Sequence, residues 1–411
     1  MNLFNLPDNY SLKNDVIAGI TIGVVTIPQA MAFALLAGLP PIYGLYGSLI
    51  PLVIYAFFAS SNFLNVGPVS VISIFIFQTL TPFESPFTAA YINSAIILGI
   101  MIGLIQYLMG LFRLGTFANY LQKSVISGFI QAAAIVIILS QLSPGFGIEL
   151  PIEGTYFGKV IYLLNNIASS HSVSTFLFIS SLSVLFVFAT YFPKFPTTIT
   201  LLVLSGLASF LLDFEAMGVA LIGEVPVGLP VFIMPSFSSE SLRLLPGALG
   251  IAFVASIGSV IMAKNLEESQ PFPLDVNQDL RALGLTKIAS AFFGSLVPAA
   301  SFNRTILNIK VGAQTQVAGL FAALIILLTL LFLTPIVYFL PQSVIAAIII
   351  YSVYFLFDFS LIKQLLMTSK IDAFYLLFTT VMTLVFGFVF GIFLGVFISL
   401  LGNYLRKRTI S

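Results

Sequence analysis

Arg304, in the stretch Ser301–Phe302–Asn303–Arg304–Thr305, is the residue of this sequence most suited to chemistry, because it is a lone arginine deep in a hydrophobic protein. A guanidinium at membrane depth is costly without a partner, so such a residue is a site hypothesis by default. Its charge does not titrate at physiological pH. We therefore predict an anion as its partner. A structural arginine that bonds carbonyl groups at a broken helix is the alternative, and the two roles are compatible.

The composition indicates that this arginine belongs to a membrane protein. Of the 411 residues, 59% are hydrophobic and 8% are charged, with a mean hydropathy of +1.10. Average soluble chains have about 25% charged residues. The apolar runs are too long and uniform for barrel strands, which alternate in roughly ten-residue segments. We predict an all-α polytopic membrane protein in contact with the lipid bilayer.

The residue types also exclude most catalytic chemistry. The chain has one histidine and no cysteine, no cluster with metal-ligand spacing and no Walker glycine-lysine pattern. We predict no enzymatic activity, no cofactor, no metal and no nucleic-acid partner. The single histidine, His171, falls in a predicted loop, where we interpret it as a solvated side chain.

About 14 spans fit this chain at roughly 20 residues per span. Their predicted starts lie near Asp15, Ile42, Pro68, Tyr91, Tyr120, Thr175, Pro196, Leu245, Asp279, Arg304, Gln314, Pro341, Asp372 and Phe388. The third and tenth are short, and each follows a stretch predicted to be extended, at 62–66 and 296–300. Two interrupted segments at matching positions of two halves indicate a transporter binding site. Here they match if the chain divides into repeats of residues 1–212 and 213–411.

The basic residues set the predicted orientation. With the N-terminus inside, most lysines and arginines fall on cytoplasmic loops or ends, while Lys159 and Arg243 fall outside. By the positive-inside rule both termini are cytoplasmic. An odd number of spans per half then makes the two repeats inverted. The two longest loops, at 144–174 and 213–244, would face outward.

The two short helices would form an anion cradle. Helices starting at Gly67–Pro68–Val69 and near Asn303 have unsatisfied N–H groups and partial positive charge at their first turns. Pro68 suits the first turn, since its missing N–H would have no partner there. Ser301 or Asn303 can cap the second helix. Gly67 lies where the backbone must approach the ligand closely.

The first span is predicted to form the opposite wall of the site. Pro28 breaks its hydrogen-bond ladder, Thr26 lies near the break, and Gln29 and Phe33 share one helix face. In the eighth span Ser256, Gly258 and Ser259 are small enough to line a cavity, or to allow close helix packing. Gly19-x-x-x-Gly23 and Gly99-x-x-x-Gly103 indicate close packing within one bundle.

Seven stretches together, in this order, resemble the transmembrane domain of the sulfate permease (SulP) anion transporter family, which includes the motor protein prestin. They are Asp15–Val16–Ile17–Ala18–Gly19, Pro28–Gln29–Ala30–Met31–Ala32–Phe33–Ala34, Pro40–Pro41–Ile42–Tyr43–Gly44–Leu45–Tyr46, Val66–Gly67–Pro68–Val69, Pro226–Val227–Gly228–Leu229–Pro230, Asn277–Gln278–Asp279–Leu280 with Leu283–Gly284, and Ser301–Phe302–Asn303–Arg304–Thr305. The resemblance implies a 7+7 inverted repeat, with spans 1–4 and 8–11 as a core domain and spans 5–7 and 12–14 as a gate domain. It also implies a homodimer that moves sulfate, bicarbonate, chloride or dicarboxylates.

The resemblance places a set of residues at anion-binding positions, namely Thr26, Gln29, Phe33, Val69, Phe302, Asn303 and Arg304. Many relatives have an acid in span 8, within a pattern such as Leu-Glu-Ser, where this chain has Ile257–Gly258–Ser259. We therefore predict no coupling to protons or sodium. The family continues into a cytoplasmic STAS domain, whereas this sequence ends at Ser411 and contains no STAS domain, so that domain is either natively lacking or trimmed off.

Three functions fit these observations. The first is a secondary anion transporter of a bacterial inner (plasma) membrane, working by alternating access. The second is an anion channel or voltage-dependent motor on the same scaffold. The third is a nucleobase transporter, which shares the 7+7 fold but would be expected to have a carboxylate in span 8, and Gly258 disfavours it.

Overall fold

The computed structural model of the protein describes residues 7, 9–115, 122–148, 156–192, 195, 197–223, 228–267, 274–333, 338–354, 357 and 359–410. Within these ranges the chain is mainly helical, as predicted. Tyr120 and Pro196, two predicted span starts, and Pro226 and Val227 of the fifth stretch lie outside the described residues.

The elements of the first part of the chain, in order, are α1 Leu12–Leu36, α2 Pro41–Phe58, β1 Val66–Gly67, α3 Ser70–Leu80, α4 Ala89–Leu111, α5 Lys123–Phe146, α6 Tyr156–Asn165, α7 Ser172–Tyr191 and α8 Thr197–Leu212. Those of the second part are α9 Leu245–Glu267, α10 Val276–Ala291, β2 Ala299–Ala300, α11 Phe302–Val311, α12 Val317–Leu328, α13 Gln342–Tyr354, α14 Phe359–Thr368, α15 Lys370–Phe386 and α16 Phe388–Ile410. Short 3₁₀ turns precede α7 and α9, at Ile167–Ser169 and Ser239–Leu244, and a π-helical turn, Thr329–Leu333, follows α12.

Among the described residues, six helices are long and apolar enough to cross a membrane by length and composition. They are Leu12–Leu36, Pro41–Phe58, Ala89–Leu111, Ser124–Phe146, Ser172–Tyr191 and Ser239–Val260. Further apolar helices are shorter, including α3 and α12. The predicted count of about 14 spans and the division into inverted repeats therefore stay predictions.

The chain forms two compact units, and each takes segments from both halves of the sequence. The first unit, which we call unit 1, comprises Met1–Ala118 and Ile222–Tyr338, and the second, unit 2, comprises Asn119–Leu221 and Phe339–Ser411. In unit 1, α4 packs against α10 and α1 against α12, while α2 contacts all three of α1, α10 and α12. In unit 2, α5 packs against α13 and α15, and α15 against α16.

Glycines allow the close helix contacts of unit 1 that the sequence predicts. A Cβ atom added to Gly103 of α4 would lie 2.8 Å from the carbonyl oxygen of Gly284 on α10, closer than real Cβ contacts allow. A Cβ on Gly19 of α1 would overlap Phe321 and Ala318 of α12. Both glycine patterns therefore serve packing within one unit.

The predicted outer loop at 144–174 is partly helical, which corrects the prediction. Helix α5 continues to Phe146, α6 occupies Tyr156–Asn165, and α7 begins at Ser172. The ten residues of α6 are too few for a span, and their apolar residues are interrupted by polar ones, so the span-length pattern did not reveal this helix.

His171 of unit 2 is not a free solvated side chain, which is a second correction. It is the N-cap of α7, where Nδ1 accepts a hydrogen bond from the Ser174 N–H at 3.3 Å. Its other ring nitrogen, Nε2, lies 3.0 Å from the Met217 carbonyl oxygen. A proton on Nε2 satisfies both contacts, so the imidazole ties the start of α7 to the loop after α8.

Candidate functional site

The candidate site lies in unit 1, where a short β-ribbon joins the two short helices α3 and α11. Val66 pairs with Ala300 and Gly67 with Ala299 in an antiparallel register. Each strand is followed within a few residues by its helix. Because the strands are antiparallel, α3 and α11 leave the ribbon in opposite directions, and both N-termini lie beside it.

The structure corrects the start of both short helices. Helix α3 begins at Ser70 with Val69 as its N-cap, so Gly67 is in β1 and Pro68 precedes the helix instead of forming its first turn. Ser301 occupies the N-cap position of α11, but its side chain makes no capping hydrogen bond. Asn303 lies in the first turn of α11. The N–H groups of these first turns are therefore not covered by a capping side chain.

Arg304 is buried at the start of α11, with 1% of its surface exposed. Its Nε donates a hydrogen bond to Asn65 Oδ1 at 2.9 Å. Nη1 and Nη2 are buried and have no hydrogen-bond partner among the described residues. The guanidinium lies along β1, since a Cβ atom on Gly67 would be 3.0 Å from Nη2.

The buried carboxylates of unit 1 are engaged elsewhere. Asp15 accepts hydrogen bonds from the backbone N–H groups of Gln314 at 2.7 Å and Thr315 at 3.2 Å. Asp279 accepts from the backbone of Ser60 at 2.7 Å and Ser61 at 3.2 Å. In the part of the chain that the structure describes, no carboxylate forms an ion pair with Arg304. The positive charge of Arg304 thus has no compensating acid within reach.

Helix α1 contacts both short helices, as expected for a wall of the site. Thr26 is buried and its hydroxyl donates to the Ile22 carbonyl oxygen at 2.7 Å, within its own helix. Phe33 is 7% exposed, and Gln29 is half-buried. Pro28 lies between Thr26 and Gln29 inside α1. The structure therefore brings α1 to the ribbon helices, with Phe33 almost fully packed.

The remaining predicted residues of the ribbon helices differ in their exposure. Phe302 is 47% exposed and Asn303 is also exposed, so both are accessible at the N-terminus of α11. Val69 is half-buried at the N-cap of α3. The first turn of α11 therefore combines two exposed side chains with the buried Arg304.

Helix α9 packs against α3 and β2, but its predicted residues do not share one role. Gly258 is exposed, and a Cβ atom there would have nothing within 4 Å, so it faces open space. Ser256 is 2% exposed, and its hydroxyl lies 3.5 Å from the Met109 sulfur on α4. Ser259 donates to the Ala255 carbonyl oxygen. Of the two roles that the sequence allows for Ser256, the structure shows packing between helices, and its place in the anion site stays a prediction.

Two buried polar residues were missed by the sequence analysis. Asn65 is 2% exposed and bonds Arg304, and Lys287 is 1% exposed in α10. Lys287 Nζ donates to Gln106 Oε1 at 2.5 Å. Asn65 lies in a segment that is already rich in polar residues, and Lys287 lies in a helix of mixed polarity, so neither stands out in the sequence.

The chain belongs to the sulfate permease family, because the model of that family matches residues 12–379. The probable sulfate transporter 4.2 of Arabidopsis thaliana is 36% identical over 357 residues, which cover 84% of this chain and 52% of that protein. The sodium-independent sulfate anion transporter of Bos taurus is 32% identical over 404 residues, covering 89% of this chain and 66% of that protein. The chain thus spans about half to two thirds of the length of these relatives.

The fold of the chain is similar to that of the solved structure of SLC26A9. The structure of SLC26A9 superposes with a TM-score of 0.90 at 25% sequence identity, covering 98% of this chain and 68% of that one. The two curated relatives have the names of transporters and not of enzymes. The family and the fold thus agree with the resemblance found in the sequence.

Proposed function

We propose that the protein is a secondary transporter that moves a small anion across the membrane by alternating access. The anion binds at the β1–β2 ribbon, between the N-termini of α3 and α11 and next to Arg304. The single observation that supports this most is the guanidinium of Arg304, which is 1% exposed and whose Nη1 and Nη2 lack partners among the described residues. Burying a charge is costly unless it is paired and hydrogen-bonded, and a bound anion would supply both an opposite charge and acceptors for Nη1 and Nη2.

The first-turn N–H groups of α3 and α11 add to this attraction. Each helix N-terminus has about half a positive charge and free N–H donors. An oxyanion would accept from these donors and from the guanidinium fork, which suits planar or tetrahedral oxygens. Sulfate, bicarbonate and small dicarboxylates all have this chemistry, and chloride can use the same field. The similarity to named sulfate transporters supports this range of substrates.

The finer architecture is part of the same proposal. All residues of the site belong to unit 1, which we assign as the mobile core domain, with unit 2 as the gate domain. We further propose 14 spans in two inverted repeats, with α3 and α11 as half-length spans, both termini cytoplasmic, and a homodimer in the plasma membrane. The basic residues that fall inside under this orientation support it.

The test is uptake of labelled sulfate, bicarbonate, chloride and a small dicarboxylate into proteoliposomes that contain the purified protein. We expect saturable uptake of at least one of them at a low turnover. Flux that does not saturate would favour the channel alternative, and voltage-dependent charge movement without flux would favour the motor. Uptake of a neutral nucleobase in place of any anion would contradict the proposal.

A further inference from the structure

Asn65 joins the chain entering β1 to the first turn of α11. Its backbone N–H donates to Thr305 Oγ1 at 3.0 Å, and its backbone carbonyl oxygen accepts from the Ser301 N–H at 2.9 Å. Its side-chain Oδ1 accepts from Arg304 Nε at 2.9 Å. Asn65 is 2% exposed. One residue therefore makes three contacts with the helix that presents the guanidinium.

The side-chain contact determines which edge of the guanidinium is free. Arginine can bind an anion through Nε with Nη2, or through Nη1 with Nη2, because its five N–H donors form a fixed planar fork. Here Nε is engaged by Asn65, while Nη1 and Nη2 have no partner among the described residues. The edge that remains available is the Nη1–Nη2 edge.

The chemistry of the amide matters as much as its position. A neutral amide oxygen holds the guanidinium without cancelling its charge. A carboxylate at the same place would add an opposite charge to this bond, which would hold the guanidinium more strongly and compete with an incoming anion. Asparagine therefore fixes the orientation of Arg304 and leaves its charge for the ligand.

We propose that Asn65 is a positioning residue of the anion site, which holds the guanidinium of Arg304 so that its Nη1–Nη2 edge meets the anion. This inference rests on the function proposed above. It predicts that Asn65 acts through Arg304, so its effect appears in the affinity for the anion and disappears when Arg304 is replaced.

Asn308 provides a matched control on the same helix. It is also an asparagine, 4% exposed, and its Nδ2 donates to the Phe63 carbonyl oxygen at 3.2 Å. This bond connects α11, one turn further along, to the same segment that enters β1. Among the described residues, the Asn308 side chain makes no hydrogen bond to the guanidinium of Arg304. Removing this hydrogen bond with Asn308→Leu therefore measures the structural effect alone.

The experiment measures the apparent KM and the maximal rate of labelled sulfate uptake, or of bicarbonate uptake if the wild type prefers it, in proteoliposomes. The variants are Asn65→Asp, Asn65→Leu and Asn308→Leu, with thermal unfolding in detergent to verify folding. We expect Asn65→Asp to raise KM about tenfold or more, since a charge-assisted bond to Arg304 competes with the anion. Asn65→Leu should also raise KM, and Asn308→Leu should change KM less than about twofold while lowering the unfolding temperature.

A double variant distinguishes a positioning role of Asn65 from a purely structural role. On an Arg304→Gln background, Asn65→Asp should cause no further rise in KM. A folded Asn65→Asp variant with the wild-type KM, or one whose effect persists without Arg304, would overturn the role of Asn65 while the proposed function stands. Absence of flux for every anion in the wild type would overturn the proposed function and this role together.

Discussion

Burial of the Arg304 guanidinium has a desolvation cost that other groups of the site must offset. A cation with 1% exposure has lost most of its hydration, and an effective penalty of several kcal/mol per ion remains in real proteins. The one hydrogen bond that Arg304 Nε donates to Asn65 Oδ1 offsets about 1.5–3 kcal/mol of it, the range for bonds to charged groups. The deficit favours recruitment of an anion, and Arg304 is therefore the residue at which substitutions should change affinity most.

Gly67 has no side chain, and this leaves room for the guanidinium of Arg304. A Cβ atom there would lie 3.0 Å from Arg304 Nη2 and 3.7 Å from Ser48 Oγ. We predict that Gly67→Val displaces the guanidinium and abolishes anion transport while the protein still folds. Labelled-anion uptake, with size-exclusion profiles and Gly67→Ala as the smaller change, measures this. Wild-type uptake by Gly67→Val would show that β1 does not approach the anion.

At the residue scale, the sequence predicted those candidate residues that lie together in one local segment. Arg304, Phe302 and Asn303 follow from the polar break in an apolar run. Asn65 could not be assigned, because its contact with Arg304 joins residues 239 positions apart and depends on the pairing of β1 with β2. The role of Ser256 stayed open between cavity lining and packing because α9 is apolar on every side, so its sequence does not fix which face meets α4.

At the scale of elements, α4 and α10 are joined by a buried polar pair. Lys287 and Gln106 are 1% and 0% exposed, and Gln106 Nε2 has no partner among the described residues. Removing one partner of a buried hydrogen bond leaves the other unsatisfied, which costs about 1–3 kcal/mol and more for a charged group, whereas replacing both with apolar groups of the same shape can be nearly neutral or stabilising.

We predict from this pair a definite order of stability. Gln106→Leu should be the most destabilising change, because it leaves the Lys287 ammonium buried without its acceptor. Lys287→Met should cost about 1–3 kcal/mol through the amide left unpaired. The double variant should be at least as stable as Lys287→Met. Thermal unfolding in detergent measures the order, and a double variant less stable than either single variant would contradict it.

Helix α7 of unit 2 depends on the cap provided by His171. We predict that His171→Ala lowers the free energy of unfolding by about 1 kcal/mol, the usual cost of losing an N-cap. His171→Asn is the matched control, because asparagine caps a helix well but is too short to keep the contact with Met217. Thermal unfolding should place it between the wild type and His171→Ala. Equal stability of all three proteins would show that the imidazole contributes nothing here.

The observed element boundaries agree with the predicted ones where the sequence has a strong signal at the boundary. Helices α9 and α16 begin at Leu245 and Phe388, the predicted starts. Each extended stretch predicted before α3 and α11 overlaps a two-residue strand, β1 at Val66–Gly67 and β2 at Ala299–Ala300. Helices α6 and α14 were not predicted, since each has only ten residues and polar residues on one side. A search for span-length apolar runs does not detect helices of this kind.

At the scale of the whole molecule, the two compact units each combine distant parts of the chain. This grouping depends on long-range packing, such as α1 with α12 and α4 with α10. Periodicity along the sequence does not reveal such partners, and only the resemblance to a family suggested the grouping. The inverted repeats are a further prediction, which requires the transmembrane topology to be mapped.

The transport cycle is predicted to lack cation coupling. Gly258 faces open space and has no ionisable side chain, and neither Ser256 nor Ser259 titrates in the physiological range. We expect flux that follows the anion gradient and the membrane potential, with no stoichiometric proton or sodium movement. Uptake under imposed pH and sodium gradients measures this. Concentrative uptake driven by either gradient alone would contradict it.

Gly258→Glu provides the complementary variant. A carboxyl side chain has room at this position. We expect it to introduce pH dependence, because its ionised form repels the anion and its protonated form does not. Transport should therefore fall as the pH rises, while Gly258→Gln, the uncharged control, should show no such dependence.

The most direct test of the account is the response of anion affinity to Arg304→Gln. Apparent KM and maximal rate are measured for the transported anion in proteoliposomes, with Arg304→Lys as the charge-conserving control and thermal unfolding to verify folding. We predict that Arg304→Gln weakens anion binding by about 1–3 kcal/mol, or roughly 5- to 150-fold in KM, with the protein still folded, and that Arg304→Lys is affected less. A folded Arg304→Gln variant with wild-type affinity and rate would contradict the assignment and leave Arg304 a purely structural residue.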